Sequence, residues 1–284
     1  MTIQAQFNDL RNQFRGIVSS IRSSGYRKKE ASEELAVQYW SALKTLLLHA
    51  RTILPQDQYQ DFFEWVSKQE ASLLSDIRSA SKGYEQLSGI ANSRPASLET
   101  EIAWSTALLA RYKNELAEFR RVASLVTRHV LRDEFAAALQ CLDELDESFG
   151  VSIWSVQLRI ALTNEAYGLE AQKKVVEDVR AVFDRGLLGY IAYFCGVRNE
   201  SRTTAERFSI NTEARISRHR YFSREVKNYL RFTLLGESPA SENNLADLMR
   251  FSQSHHFFDL YETCVLVLQT VCLKSVPPTQ LIER

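Results

Sequence analysis

The nearest approach to reactive chemistry in this chain is the stretch Arg250–His255, RFSQSH. An arginine and a histidine at that spacing suit metal-independent phosphodiester cleavage. The imidazole takes or gives a proton near neutral pH, and the guanidinium steadies charge on the phosphorane. His256 and Asp259 follow closely. Positions four apart share a helix face, so His255 and Asp259 fall together as metal ligands do. Two or three ligands do not complete a site, and no metal is expected. The third set is the stretch Arg198–Arg231, which holds nine basic residues against four acidic ones, with Tyr221, Phe222, Tyr229 and Phe232 interleaved. Arginines there hold phosphates or carboxylates, while aromatics stack on bases or enter an interface core. Arg215, Arg218, Arg220, Tyr221 and Arg224 are the candidate binding residues of this segment.

The Arg250–His255 spacing resembles that of HEPN-type ribonucleases, which are all-helical. The resemblance implies His255 as the acid–base group and Arg250 as the charge stabiliser. Phe251 stands where that family usually carries a polar residue. An arginine-rich chain with 5 His produces about one such spacing by chance. No GxxxxGK, GxGxxG or GxSxG loop is present, and neither HExxH nor ExxH occurs. Phosphate-loop, dinucleotide, serine-hydrolase, zinc-protease and di-iron chemistries therefore lack their usual frames. No catalytic residue is expected, with Arg250 and His255 as the only candidates, and no cofactor is expected.

These groups must be positioned by helices. Only 10 Gly and 5 Pro occur in 284 residues. Few chain breakers mean few turns, and few turns in a long chain mean long elements. The 45% hydrophobic content fills a core, and 35 acidic residues balance 35 basic ones. A chain of zero net charge sets up no global field for nucleic acid or membrane, though local patches persist. Arg outnumbers Lys 25 to 10, which suits forked ion pairs or a recognition surface. Cys141, Cys195, Cys264 and Cys272 form no CxxC and are expected as buried small hydrophobes of a cytoplasmic protein. The N-terminus lacks a basic start followed by an apolar run, so no secretory leader is expected. The apolar runs Leu187–Val197 and Leu260–Leu273 fall short of the roughly 20 residues a membrane span needs. They are expected as buried core elements, with a short strand as the lesser option for the first.

Along the chain, Ile3, Phe7, Leu10, Phe14, Ile17 and Ile21 step by four and three, as on the a/d seam of a helix. This seam either docks on its own bundle or binds a partner or second copy, which makes Phe7 and Phe14 candidate binding residues. Helices are expected over about Ser32–Leu54, ended by Pro55, over Gln56–Leu87, and over Leu98–Leu131. Ser88–Ser97 is the clearest loop of this half. From Asp133 the breaks come sooner, at Gly150, Gly168 and Gly186, and short hairpins are expected. Amphipathic helices are expected within Ser201–Phe232, then Ser241–Ser252 and His255–Lys274.

The hairpin stretch is similar to a tetratricopeptide repeat over about Phe119–Phe183. RDEFAAAL supplies Phe135 and the small run Ala136, Ala137 and Ala138, and YGLEAQ (Tyr167 to Gln172) stands as a second turn. Arg132 or Asp133 replaces the family's glycine, and Gly150 its closing proline. The resemblance implies helical hairpins that bind something. The expected fold is all-α: a long antiparallel bundle over 1–93, then repeat-like hairpins over 94–284. The expected function is a non-catalytic helical interaction or scaffold protein that binds another protein or itself, without a membrane. The alternative is a nucleic-acid-binding or HEPN-like RNA-cleaving protein acting through residues 198–231.

Overall fold

The computed structural model describes residues 3–24, 46–47, 49–69, 96–183, 186–200, 202–237, 239, 241–253 and 255–275. The protein is all-α, with no strand among the described residues. They fall in two compact units, one from the described parts of Met1–Ser75 and Ser93–Arg111, the other from Tyr112 onward.

The first unit contains α1 (Ile3–Ser24), α2 (Tyr59–Gln69) and α3 (Leu98–Leu109). Helix α1 buries Phe7, Leu10, Phe14 and Val18, whereas Ile17 is half-buried. The buried stripe thus drifts from the a/d seam toward a 3.6-residue period. That drift marks a straight helix docked on a core, since a supercoiled seam holds 3.5. Phe7 meets Phe62 at 6.1 Å and Phe14 meets Trp65 at 5.2 Å between ring centres. The chain's own α2 therefore covers this part of the seam. Arg51 and Glu101 form an ion pair at 2.8 Å with both side chains fully buried. The Tyr59 hydroxyl donates to the Arg51 carbonyl at 2.7 Å, and its ring lies 4.9 Å from Trp104. Glu101 and Trp104 belong to α3, so α3 is part of the first unit. The first compact unit thus takes in the described residues up to Arg111.

The reason is local. The helix expected over Leu98–Leu131 is broken by a 3-10 turn at Ala110–Tyr112, after which α4 runs from Lys113 to Val130. No glycine or proline marks that turn. Pro55 does end a helical stretch, but a 3-10 turn at Gln56–Gln58 precedes α2. The expected continuation to Leu87, most of Ser32–Leu54 and most of Ser88–Ser97 lie outside the described residues. Ser97 caps α3 by accepting the Thr100 N–H at 3.2 Å.

The second unit continues with α5 (Phe135–Phe149), α6 (Ile153–Tyr167), α7 (Leu169–Val182) and α8 (Leu187–Arg198). Then come α9 (Ala205–Arg218), α10 (Arg224–Leu230) with a π-type turn at Arg231–Leu235, α11 (Glu242–Ser252) and α12 (Phe257–Ser275). Neighbours in sequence pack together from α4 to α9, and α6 also packs on α8 and α12. Apolar periodicity drives this. Leu142, Leu145, Val156, Ile160, Leu188 and Ile191 are all buried. The run from Leu187 is helical rather than a strand, and its small residues explain its fit. A Cβ on Gly189 would lie 2.4 Å from the Phe183 carbonyl oxygen, so only glycine lets α8 start this close to the end of α7. Gly168 caps the end of α6 and the start of α7, at φ 81° and ψ 180°. That backbone region is essentially open to glycine alone.

Asp133 adopts φ 59°, a left-handed conformation, where a glycine is expected by the repeat resemblance. Cys264 is buried, and burial pushes its thiol up to about 12. Cys141 and Cys195 are half-buried; Cys272 departs from expectation and is exposed. Among the described residues, no helix is long and apolar enough to cross a membrane.

Candidate functional site

Arg250 lies on α11 and is 4% exposed. Its guanidinium donates to Asp247 at 2.6 Å and faces Glu225 at 3.6 Å. The other Asp247 oxygen accepts from Arg224 at 2.7 Å. The buried Asp247 carboxylate thus ties α11 to α10 through Arg224, while Arg250 faces Glu225 on α10. Glu225 is pushed up by burial, but its own backbone N–H, the Ser223 hydroxyl and the charges of Arg250 and Arg224 outweigh that. It ends below the ordinary carboxylate range. His255 is 7% exposed, and its ring meets Tyr229 at 5.0 Å and Phe251 at 4.5 Å. Tyr229 is itself buried, which drives its hydroxyl well above the usual phenol range. A general acid must reach the atom it protonates. Arg250 and His255 are both interior groups of the fold.

The second set is interior too. His256 is fully buried; its Nε2 donates to the Phe149 carbonyl at 2.9 Å and its Nδ1 accepts the Phe258 N–H at 3.2 Å. A carbonyl on one side and an N–H on the other dictate the neutral Nε2–H tautomer. Asp259 accepts the backbone N–H groups of Ile153 and Trp154, each at 2.9 Å. It is a cap for α6 supplied from another helix. Burial pushes its carboxyl up, the two N–H groups pull it back, and Glu262 and Asp146 push it further, to about 7. Aromatic rings enclose this hub: Phe119 stacks on Phe258 at 4.1 Å, and Tyr112 on Phe257 at 4.7 Å. Among the described residues, no group of three His, Cys, Asp or Glu side chains is placed to hold a metal ion.

The basic stretch divides in two. Arg231 forks onto Glu213 at 2.6 and 2.8 Å, Arg224 is taken by Asp247, and Lys227 donates to the Ser217 carbonyl. Phe222 is buried and stacked on His219 at 3.7 Å. The acidic helix α5 is matched from elsewhere, since Arg159 on α6 pairs with its Asp143 and Asp146. The other basic residues of the stretch face solvent. Arg198, Arg207, Arg215, Arg218, Arg220 and Tyr221 are exposed, and Arg220 donates to the Tyr221 hydroxyl at 2.9 Å while lying 5.0 Å from its ring.

One arrangement on this surface joins Arg215 to two residues that the sequence pattern did not single out. Arg180 on α7 and Arg215 on α9 each place the guanidinium carbon 5.4 Å from the ring centre of Tyr193 on α8. Arg215 also donates to the Tyr193 hydroxyl at 3.1 Å. Three successive helices therefore converge on one phenol. The signal was faint but present. Once Leu187–Val197 is taken as a helix, Tyr190, Tyr193 and Val197 form its one half-exposed stripe. Phe7 and Phe14, by contrast, are core residues of the first unit.

Compared with known proteins, the chain matches no family model, no curated protein and no solved structure.

Proposed function

We propose that this chain is a non-catalytic helical interaction protein whose stacked hairpins present a surface to another protein. One observation carries the reading. The groups able to do acid–base or metal chemistry (Arg250, His255, His256, Asp259) are buried and committed to holding helices together. Among the described residues, Arg180, Arg198, Arg207, Arg215 and Arg218 have no carboxylate partner and lie exposed on α7 to α9. Arginine and tyrosine are the residue types that dominate interface energetics once desolvated. The packing of α6 on α5, α7 and α8 supports a repeat-like stack. In such a stack each hairpin buries the next, and loops and outer faces stay open to a partner.

The test is affinity purification of the full chain from its native cells, with chemical cross-linking and mass spectrometry. A protein in near-stoichiometric amount, cross-linked to the second unit, is the expected result. Recovery of the chain alone, or of RNA alone, overturns the reading.

A further inference from the structure

The geometry points to a specific occupant: we infer that the seam of α8 and α9 docks an extended acidic segment of a partner protein, gripped by Arg180 and Arg215 on Tyr193. This rests on the interaction reading above and names its surface and chemistry.

Charge is unevenly paired across the second unit. Arg121, Arg159, Arg224, Arg231 and Arg250 each have a carboxylate partner. Arg180, Arg198, Arg207, Arg215 and Arg218 pair with none among the described residues, although Glu177, Asp178 and Glu206 lie on the same helices. Arg180 and Arg215 nevertheless converge on a single ring, so their like charges stand within twice 5.4 Å of each other. An anionic segment that reaches both guanidiniums lessens that repulsion and gains from each. Their side chains are also held in place by the ring, and Arg215 by the Tyr193 hydroxyl as well. Holding an arginine before the ligand arrives reduces the side-chain entropy lost on binding.

The row extends along α9. Arg207, Asn211, Arg215 and Arg218 are all exposed and recur every three or four residues, so they lie on one stripe. At the helical rise the stripe is about 16 Å long, which matches an extended segment of about five residues. Arg198 on α8 flanks it, 5.9 Å from the ring centre of Phe208 near the start of α9. Ile210, 62% exposed beside Arg207 and Asn211, offers an apolar contact at the same end.

Carboxylate and phosphate both fit an arginine fork. The protein segment is favoured for two reasons. Single-stranded nucleic acid needs free aromatic faces for its bases, but Tyr193 carries two guanidiniums and Tyr221 carries Arg220. A nucleic acid is also drawn by long-range positive charge, whereas the formal charge here is zero.

The experiment is fluorescence anisotropy at low salt on the full chain, with a dye-labelled peptide of alternating Glu and Ala ending in Leu, and with a labelled poly-uridine RNA as competitor class. Wild type should bind the peptide in preference to the RNA. R180E/R215E should weaken it by about tenfold or more, while R120E/R128E, an equal charge change on α4, should leave it within about twofold. If the double reversal misfolds by circular dichroism, R180K/R215K keeps the charge, removes the forks and should weaken binding severalfold. Peptide binding that is absent in wild type, or unchanged in both pairs of Arg180/Arg215 variants, overturns the inference, as does RNA bound more tightly than peptide and lost in R180E/R215E. The two proposals separate in the cell. A cross-linked partner retained by R180E/R215E leaves the interaction reading standing and removes this face. No partner for wild type removes both.

Discussion

Asp259 caps a helix that begins 106 residues earlier: its Oδ2 accepts the Ile153 N–H at 2.9 Å, inside the core. Its Oδ1 accepts the next N–H, that of Trp154, at 2.9 Å. The first turn of α6 has a local cap as well. The Ser152 hydroxyl accepts the Ser155 N–H and the Ser155 hydroxyl accepts the Ser152 N–H. Between them, serine and aspartate satisfy the buried start of the helix, where orphaned N–H groups would be expensive.

Replacing Asp259 by Asn leaves one of its two N–H groups facing an amide NH2. The expected loss is about 1–3 kcal/mol of stability, read by urea denaturation. The pH dependence has a definite sign. A carboxyl raised to about 7 in the fold, against an ordinary 3.8, binds its proton more tightly folded than unfolded. Its contribution is fully present below the unfolded value and is lost as pH rises through the folded one. The stability gap between wild type and D259N should therefore be wider at pH 5 than at pH 8. An unchanged gap would mean that the two N–H groups offset the burial.

The Arg51–Glu101 pair, with both side chains fully buried, makes a second prediction. Removing one partner strands a charge in the core of the first unit. R51M or E101L alone should destabilise it by about 3–5 kcal/mol, while R51M/E101L together should recover most of that. The measurement is a double-mutant cycle by chemical denaturation, following Trp65 and Trp104 fluorescence. Additive losses in the double variant would show that the pair does not act as a unit.

Much of this fold is legible in local sequence. Ser97, Gly150, Ser152 and Gly168 end or cap helices where their chemistry requires, because a cap depends on only three or four neighbouring residues. Phe7, Leu10 and Phe14 are buried as their spacing demands. The boundary at Arg111 was not legible, since it rests on Glu101 and Trp104 meeting Arg51, Tyr59 and Phe63. Ion-pair partners were hidden for the same reason: Arg224 with Asp247 and Arg231 with Glu213 are set by tertiary packing. Arg180, Tyr193 and Arg215 come from three helices, and no spacing within any one of them brings them together. The histidines misdirect because a helix-start cluster of His and Asp looks the same in one dimension whether it faces water or a core.

Asp133 offers a small, clean test. It is the one non-glycine residue with positive φ among the described residues, at 59°, and its side chain is exposed. Aspartate tolerates this region better than branched residues do. D133V should therefore cost about 1–2 kcal/mol, and D133G should be neutral or slightly stabilising. Thermal unfolding of the two variants checks both signs. Equal destabilisation by both would show that the Asp133 side chain, rather than its backbone, matters.

Gly189 links the fold to the proposed face. Its missing Cβ would sit 2.4 Å from the Phe183 carbonyl oxygen, a backbone atom that cannot swing aside. The nearby Gly196 carbonyl accepts the Gln172 side-chain N–H at 3.0 Å, and Gln172 in turn accepts from Asn199 at 2.7 Å. Helix α8 is thus held against α7 at both ends, and Tyr193 lies between those two anchor points. G189A should shift the start of α8 outward, at about 1–3 kcal/mol of stability. G196A meets side chains alone, Val176 at 3.0 Å and Gln172 at 3.8 Å, and should cost less. The same G189A displacement should draw Tyr193 away from Arg180 and weaken acidic-peptide binding while leaving both arginines in the chain. Anisotropy and thermal melts on the two glycine variants provide the check. Full peptide affinity in a destabilised G189A protein would show that the α7–α8 spacing does not set the geometry of the arginine pair.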